Sequence, residues 1–477
     1  MARINTNVGA LIANTNLNRS QKALSQSLQR LSSGMRINSG ADDPAGLIAS
    51  ESLRSEMQGI TQAIDNSTRA TNVIATAEGA LSEVSNLLIS IKALVVQSAN
   101  TGGLSADEIK ANQVQVDSAV ASITRISNTT SFAGLKLLDG SLGYITSGVA
   151  TSALQDLHIG NAAFGTAPNI PVVVNVVTSA QNAKLQFQAS AVAKSVTIKI
   201  AGRSGVEVLS FVSGTRASAI SFAINKVSDS TGVNAALTSA TNMSSGVTLT
   251  TNGFGSKEFV SVEVLGDASN FVTRTTSGAI KNRSTGRDAV ASINGAQAIG
   301  DGLHLSVNTA ALNLSLNLNA AFGQGVKTFT VTGGGANFQL GPQVQSNQQV
   351  SLAIGSVSAA ELGIAQYGYL TDITTGGRAS LVSGNSATAS NIIDAAISQV
   401  AVLRGTLGAF EKNTLQTNIN SLHVALENVT SSESTIRDTD FASETSNLTR
   451  AQILNQAGTS VLAQANQTPQ SVLTLLK

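Results

Sequence analysis

The 477-residue chain contains no cysteine and no tryptophan. Without cysteine there are no disulfides, thiolate nucleophiles, iron–sulfur ligands or cysteine-based zinc sites, so stability has to be non-covalent. Aromatic residues make up only 3% and charged residues 12%, with 29 Lys and Arg against 28 Asp and Glu. A formal net charge of +1 offers nothing global to attract nucleic acid or an anionic membrane. The shortage of aromatics leaves little anchor chemistry for a small-molecule pocket or a base-stacking surface. The sequence has no continuous run of about 18 apolar residues. Its opening, MARINTNVGALIANTNLNRS, breaks short apolar patches with Asn and Thr where a signal peptide would build a core. The expectation is a soluble protein that, if exported, uses no cleaved general secretory signal.

Constellations for chemistry are missing too. The three histidines, His158, His304 and His423, belong to no HExxH pattern and have no cysteine or second histidine at helical spacing. No Walker-type loop occurs, and Gly333-Gly334-Gly335 is followed by a strand-like run, not by a helix start that would cradle phosphate. The carboxylate pairs Asp42/Asp43 and Asp438/Asp440 stand at loop-to-helix junctions, where capping is the expected role. No catalytic, cofactor-binding or metal residue is therefore assigned, no cofactor is expected, and the chain is not read as an enzyme.

What is present is long helical patterning. Only five prolines occur, Pro44, Pro168, Pro171, Pro342 and Pro469, leaving 45–167 and 343–468 free of a residue that costs a helix interior about 3 kcal/mol. Leu53, Met57, Ile60, Ile64, Ser67, Thr71 and Ile74 alternate steps of four and three, and after a local slip Leu81, Val84, Leu88, Ile91 and Val95 resume the stripe. Asp42, Asp43 and Pro44 supply a start, and Asn100, Gly102 and Gly103 a stop. A shorter helix is expected from Ser105, in a capping box with Glu108, to Ser127. Toward the other end Ile393, Ala396, Val400, Leu403, Leu407, Phe410, Thr414, Thr417, Ser421 and Val424 keep the alternation without a slip. A second stripe, Leu415, Ile419, Leu422, Leu426 and Val429, lies beside it and predicts contact with more than one partner helix, as in a bundle. Leu53, Ile60, Ile64, Leu88, Ile91, Leu403, Leu407 and Phe410 are the expected bundle core.

Both chain ends carry apolar stripes as well. Ala10, Leu17, Leu24 and Leu31 recur every seven residues, with Leu28 and Met35 filling in; Ala451, Leu454, Gly458, Val461, Ala465, Val472 and Leu475 follow heptad positions at the finish. Lone helices with such faces depend on packing. The two ends are therefore expected to be poorly ordered in a monomer and to pack on each other and on neighbouring copies. Leu17, Leu24, Leu28, Leu31, Leu454, Val461, Leu462, Val472 and Leu475 are the candidate subunit-packing residues. Between about 180 and 380 the texture changes to period-two alternation, as in Leu312, Leu314, Leu316 and Leu318, in Val196-Ile198-Ile200, in Val206-Val208 and in Val262-Val264. Asn252-Gly253 and Asn294-Gly295 read as turns, and Ala217 to Val227 as one short helix.

The stretches LNRSQKALSQSLQRLSSGMRINSGADDPAGLIAS (17–50), VVQSAN (95–100), SFAGLKLLDG (131–140) and RAQILNQAGTSVLAQANQTPQSVLTLLK (450–477), with Ile4-Asn5-Thr6-Asn7 at the start, resemble the terminal signatures of bacterial flagellin. The resemblance covers about residues 1–145 and 385–477. It implies a fold that is mainly α at the termini, with long antiparallel helices in a coiled-coil or bundle arrangement, and an inserted β-rich, α+β variable region. The implied domains are nested and discontinuous: inner-tube helices in 1–42 plus 438–477, a helical-bundle wall with a β-hairpin in 43–180 plus 381–437, and a β-rich outer region in 181–380.

The resemblance also implies a homopolymer for swimming motility: an extracellular flagellar filament subunit exported through the flagellar secretion channel. Implied partners are an export chaperone at the C-terminal segment and the flagellar cap and junction proteins, without nucleic acid or membrane. Segment 131–150, with Gly134, Gly140, Gly143 and Gly148, resembles the site of a β-hairpin implicated in protofilament switching; its residues alone favour an ordinary Gly-rich turn. In flagellins detected by the animal innate receptor, one helix face carries an Arg and a Glu where this chain has Ser90 and Ala93, while Leu94 and Gln97 are kept; the acidic place further on is Val114. The resemblance thus implies weak receptor activation, by evasion or by drift. A junction protein and a filament-displayed adhesin or glycan-binding module stand as alternatives, the latter disfavoured by the missing Trp.

Overall fold

A computed structural model describes residues 6–475 except 166, 240, 241 and 310, with side chains described outside 242–244 and 469–475. Its helices are α1 (Val8–Ser33), α2 (Pro44–Ser98), α3 (Ala106–Thr129), α4 (Ala217–Lys226), the one-turn α5 (Ser228–Thr231), α6 (Ser386–Phe410), α7 (Thr417–Arg437) and α8 (Phe441–Leu475). Local chemistry starts them where expected. Asp43 Oδ1 accepts from Gly46 N at 2.9 Å with Pro44 in the first helical position. Ser105 and Glu108 form the reciprocal capping box of α3, and Asp440 Oδ1 accepts from Ala442 N at 3.0 Å at the start of α8.

Two expectations about the helical stripes are corrected. In α2 there is no slip: Ile60, Ala63, Ser67, Ala70, Ile74, Ala77, Leu81, Val84, Leu88, Ile91, Val95 and Ser98 are all buried in unbroken alternation of threes and fours. Ile64 and Thr71, bulkier than Ala63 and Ala70, sit on the flank half-buried. On the C-terminal side, a π-helical segment Glu411–Gln416 separates α6 from α7. A π turn absorbs one residue more than an α turn, so the inward stripe moves by one position: Leu407 is followed by Leu415 and Leu422, and Thr417, Ser421 and Val424 are exposed. The two stripes seen in the sequence are one seam before and after this insertion, not faces for two partner helices.

The chain forms two compact units, one of Met1–Ala70, Gln339–Gln348 and Lys412–Lys477, the other of Thr71–Phe338 and Gln349–Glu411. In the first, α1 pairs antiparallel with α8, and Leu422 of α7 packs on Ile60 and Ala63 of α2, flanked by Ile64, Leu426 and Val429. Leu53 is half-buried there.

The second unit holds the remainder of α2, with Leu88 and Ile91 fully buried, and α3 and α6, with Leu407 buried and Leu403 and Phe410 half-buried. Arg404 clasps Glu78 at 2.9 Å and Lys92 reaches Asp394 at 2.6 Å. Gln113, buried in α3, donates to Ile373 O and accepts from Leu381 N.

Two β modules complete that unit. The first stacks a five-stranded sheet, ordered Ala296–Gln297, Val290–Ile293, Ile170–Thr178, Gly325–Gly334, Tyr144–Ser147, over a four-stranded sheet, Ile299–Asp301, His304–Asn308, Leu312–Leu318, Leu154–Ala162. Val172, Val174, Val176, Leu305, Leu314 and Leu316 lie in its shared core. The β region therefore begins at Tyr144, earlier than the expected 181, because Leu154–Ala162 and Ile170–Thr178 pair with strands beyond 290. The second module lies between Gln181 and Arg287, with two four-stranded sheets and α4 around Leu185, Ile198, Ile200, Ile220 and Leu249. Val206 and Val208 face outward in it, on the side opposite to Leu209. Segment 131–150 supplies a two-residue hairpin, Ser131–Phe132 with Leu135–Lys136, turned by Ala133 and Gly134 at φ 49° and 86°.

Deletion of the exposed Asn413 is expected to turn the π segment into α-helix while keeping Leu415 and Leu422 inward, leaving the melting temperature within a few degrees. A large loss of stability by circular dichroism would restore the unshifted stripe.

Candidate assembly interface

The pairing of α1 with α8 is built from small and polar residues. On α1 the buried and half-buried positions are Ala10, Ala13, Leu17, Ser20, Leu24, Ser27 and Leu31, with Arg30 half-buried beside them; on α8 they are Glu444, Leu448, Ala451, Asn455, Gly458, Leu462 and Ala465. Each set alternates threes and fours, the spacing of an antiparallel coiled-coil seam. Gly458 lets the backbones close in: a Cβ there would stand 3.3 Å from Leu17 Cδ1.

Polar contacts fix the register along the whole length. Asn7 caps α1 by accepting from Ala10 N at 3.0 Å and donates across to Ala465 O at 2.7 Å. Near the end of α1 and in the first turn of α8, Ser27 Oγ donates to Glu444 Oε1 at 2.5 Å, and Arg30 stands 3.7 Å from the same carboxylate. At the far end Arg36 N donates to Arg437 O and Thr439 N to Gly34 O, with Gly34 left-handed at φ 72°. Arg437 and Arg54 both hydrogen-bond Glu51, and this holds the Glu51 carboxyl below the usual glutamate range. The two ends are thus paired helices packed on each other, as their stripes predict.

The seam leaves a second apolar surface uncovered. Leu11, Ile12 and Leu28 on α1, and Ile453, Leu454 and Val461 on α8, are each more than half exposed. Among the candidate packing residues, Leu17 is buried and Leu24, Leu31 and Leu462 are half-buried on the intramolecular seam, whereas Leu28, Leu454 and Val461 face solvent. Val472 and Leu475 lie outside the residues whose side chains are described. Large apolar side chains thus stay exposed on both helices of the pair.

Residues 4–142 match the bacterial flagellin N-terminal helical region and residues 390–476 the bacterial flagellin C-terminal helical region. The flagellin of Salmonella muenchen is 31% identical, with 99% of both chains covered. The B-type flagellin of Pseudomonas aeruginosa is 32% identical and flagellin A of Vibrio anguillarum 30%, again with 99% of both chains covered. The chain belongs to the bacterial flagellins. It is a structural subunit, not an enzyme, that polymerises with itself into the extracellular filament of the bacterial flagellum.

On this flagellin the receptor-like positions lie on the second unit: Ser90, Ala93, Gln97 and Val114 are exposed and Leu94 is half-buried. His158 and His304 are exposed, with Nδ1 atoms engaged by Asp156 O and Asn317 Oδ1. Among the described residues no group of His, Asp and Glu could hold a metal. Sequence reasoning missed the Ser27–Glu444–Arg30 cluster, since an apolar stripe passes over polar residues and the partners are 417 positions apart. The alternation of Ala13, Ser20 and Ser27 with Leu17, Leu24 and Leu31 was the available signal.

Replacing Glu444 by Ala strands the Ser27 hydroxyl and the Arg30 guanidinium, and is expected to cost about 1–3 kcal/mol. Amide hydrogen exchange should show the loss as faster exchange along both α1 and α8; unchanged protection would mean that the cluster contributes nothing to the pairing.

Proposed function

We propose that the filament grows by head-to-tail docking of the terminal helices, the residues of 1–42 and 438–477 forming an inner tube and the longer helices a wall around it. The β-rich modules then project outward. The observation that carries this reading is the exposure of large apolar side chains on both terminal helices, Leu11, Ile12, Leu28, Ile453, Leu454 and Val461. Interfaces that do not close on themselves generate open helical polymers, and apolar stripes of this kind are covered by repeating the same helix packing between copies. Leu28, Leu454 and Val461 are the residues assigned to contacts between subunits, with Leu17, Leu24, Leu31 and Leu462 supporting them from the seam beneath.

An exposed apolar C-terminal helix also suits a cytoplasmic holder before export, which supports a dedicated chaperone for that segment. The lack of cysteine removes any cross-link that would obstruct passage of an unfolded chain through a narrow channel. Cap and junction proteins with similar striped helices are the natural partners at the filament's ends. For the innate receptor, Ser90, Ala93 and Val114 provide none of the charged anchors expected of a strong agonist, and Arg in particular is a favoured interface anchor.

Removing 441–477 is expected to abolish elongation from filament seeds, by electron microscopy, while circular dichroism still reports the inner helices; continued growth of the truncated chain would overturn the docking role. Purified monomer is expected to activate the receptor weakly in a dose–response assay, and a curve matching that of a strong agonist would refute that expectation.

A further inference from the structure

The sequence contains two Asn-Gly dipeptides, Asn252-Gly253 and Asn294-Gly295, and the fold treats them differently. Both asparagines are exposed, so solvent access does not separate them. Asn294 is locked in the hairpin turn between Val290–Ile293 and Ala296–Gln297, with φ 50° at Asn294 and 84° at Gly295. Its side-chain oxygen accepts from Val173 N at 2.7 Å, and its amide nitrogen donates to Pro171 O at 3.1 Å. Asn252 follows the last residue of the strand Asn242–Thr251, and among the described residues its side chain has no hydrogen-bond partner. Its own N–H donates to Gly232 O, and Thr251 Oγ1 donates to Gly253 O. The Gly253 N–H has no acceptor among the described residues.

An asparagine that precedes glycine can react with its own main chain, because glycine has no side chain to block the approach. The glycine nitrogen gives up its proton to hydroxide and attacks Cγ of the asparagine. The new C–N bond forms as the Cγ–Nδ2 bond breaks, and ammonia leaves with a proton taken from water. Water then opens the five-membered imide at either carbonyl, giving aspartate or isoaspartate with no change in oxidation state. For this the side chain must turn back onto the following nitrogen. Asn294 must first release two hydrogen bonds, each at a cost, and leave the turn that holds Gly295; Asn252 has none to release. We infer that Asn252 is a site of spontaneous deamidation in the folded chain and that Asn294 is protected. The site lies beside a buried carboxylate. Glu258, clasped by Arg203 at 2.9 Å, has its Oε1 2.9 Å from where a Cβ on Gly253 would stand. Isoaspartate at 252 lengthens the main chain next to this ion pair, and either product takes the formal net charge of the chain from +1 to neutral. Outside the cell a subunit cannot be resynthesised in place, so the modified fraction rises with the age of the polymer.

The test holds the full chain, as purified monomer, in mildly alkaline buffer at body temperature. Fragment-ion mass spectrometry of its proteolytic peptides follows the mass gain at each asparagine, and an isoaspartate methyltransferase labels the isoaspartate product. Conversion at 252 is expected to run about tenfold faster than at 294, the two hydrogen bonds of Asn294 setting the difference. Equal rates, or faster conversion at 294, overturn the inference. In denaturant both asparagines precede glycine without tethers, so their rates are expected to converge. A difference that persists in the unfolded chain would mean that neighbouring residues select the site, and would refute protection by the fold. Asn252→Gln is expected to abolish both signals from its segment while the melting temperature is kept; a methyltransferase signal surviving there places the reaction at another residue and counts against the assignment.

Discussion

Two helices in contact cover only one side of each other, and the α1–α8 pair interleaves small residues with leucines on that side. Ala13, Ser20, Ser27, Ala451 and Gly458 bring the backbones close, and Glu444 with Ser27 and Arg30 fixes how the helices slide. The larger side chains at 28, 453, 454 and 461 stay more than half exposed. A chain built this way is complete in register but incomplete in burial. The proposed docking of the terminal helices draws on that imbalance, since apolar area removed from water contributes roughly 25 cal/mol per Å².

Much of this was legible in the sequence because helices longer than five turns repeat their pattern often enough to overrule local ambiguity. The starts of α2 and α3 could be placed from Asp43-Pro44 and Ser105–Glu108, whose capping chemistry is local. Less legible was which of two adjacent residues faces inward. Ile64 and Thr71 drew the stripe away from Ala63 and Ala70, since patterning weights size while a close helix seam selects small side chains. The π segment at Glu411–Gln416 was hidden for a different reason. It leaves an apolar residue at every third or fourth position on both phases, so the sequence shows two stripes where the structure has one.

The same masking affects strands. Ile170–Thr178 alternates cleanly in burial, but Val173 and Val177 on its outer face are as apolar as Val172, Val174 and Val176 inside. Period two therefore vanished, and the β region was placed too late in the chain. The Ser27–Glu444 contact was out of reach because the alternation around Ser27 marks a seam without naming the residue across it, 417 positions away.

The chain enters and leaves the second β module at one point. Gln181 and Arg287 exchange backbone hydrogen bonds of 2.8 and 2.9 Å, and Gly286 beside them has no room for a side chain, since a Cβ would come within 2.5 Å of Gln181 O. A fold attached through such a narrow neck, with its own core, behaves as a cassette. Beyond the neck only a few contacts, such as Phe254 on the first module's core and Lys257 with Asp301, tie the cassette down, so its sequence is free to diverge while the chain path on either side stays fixed.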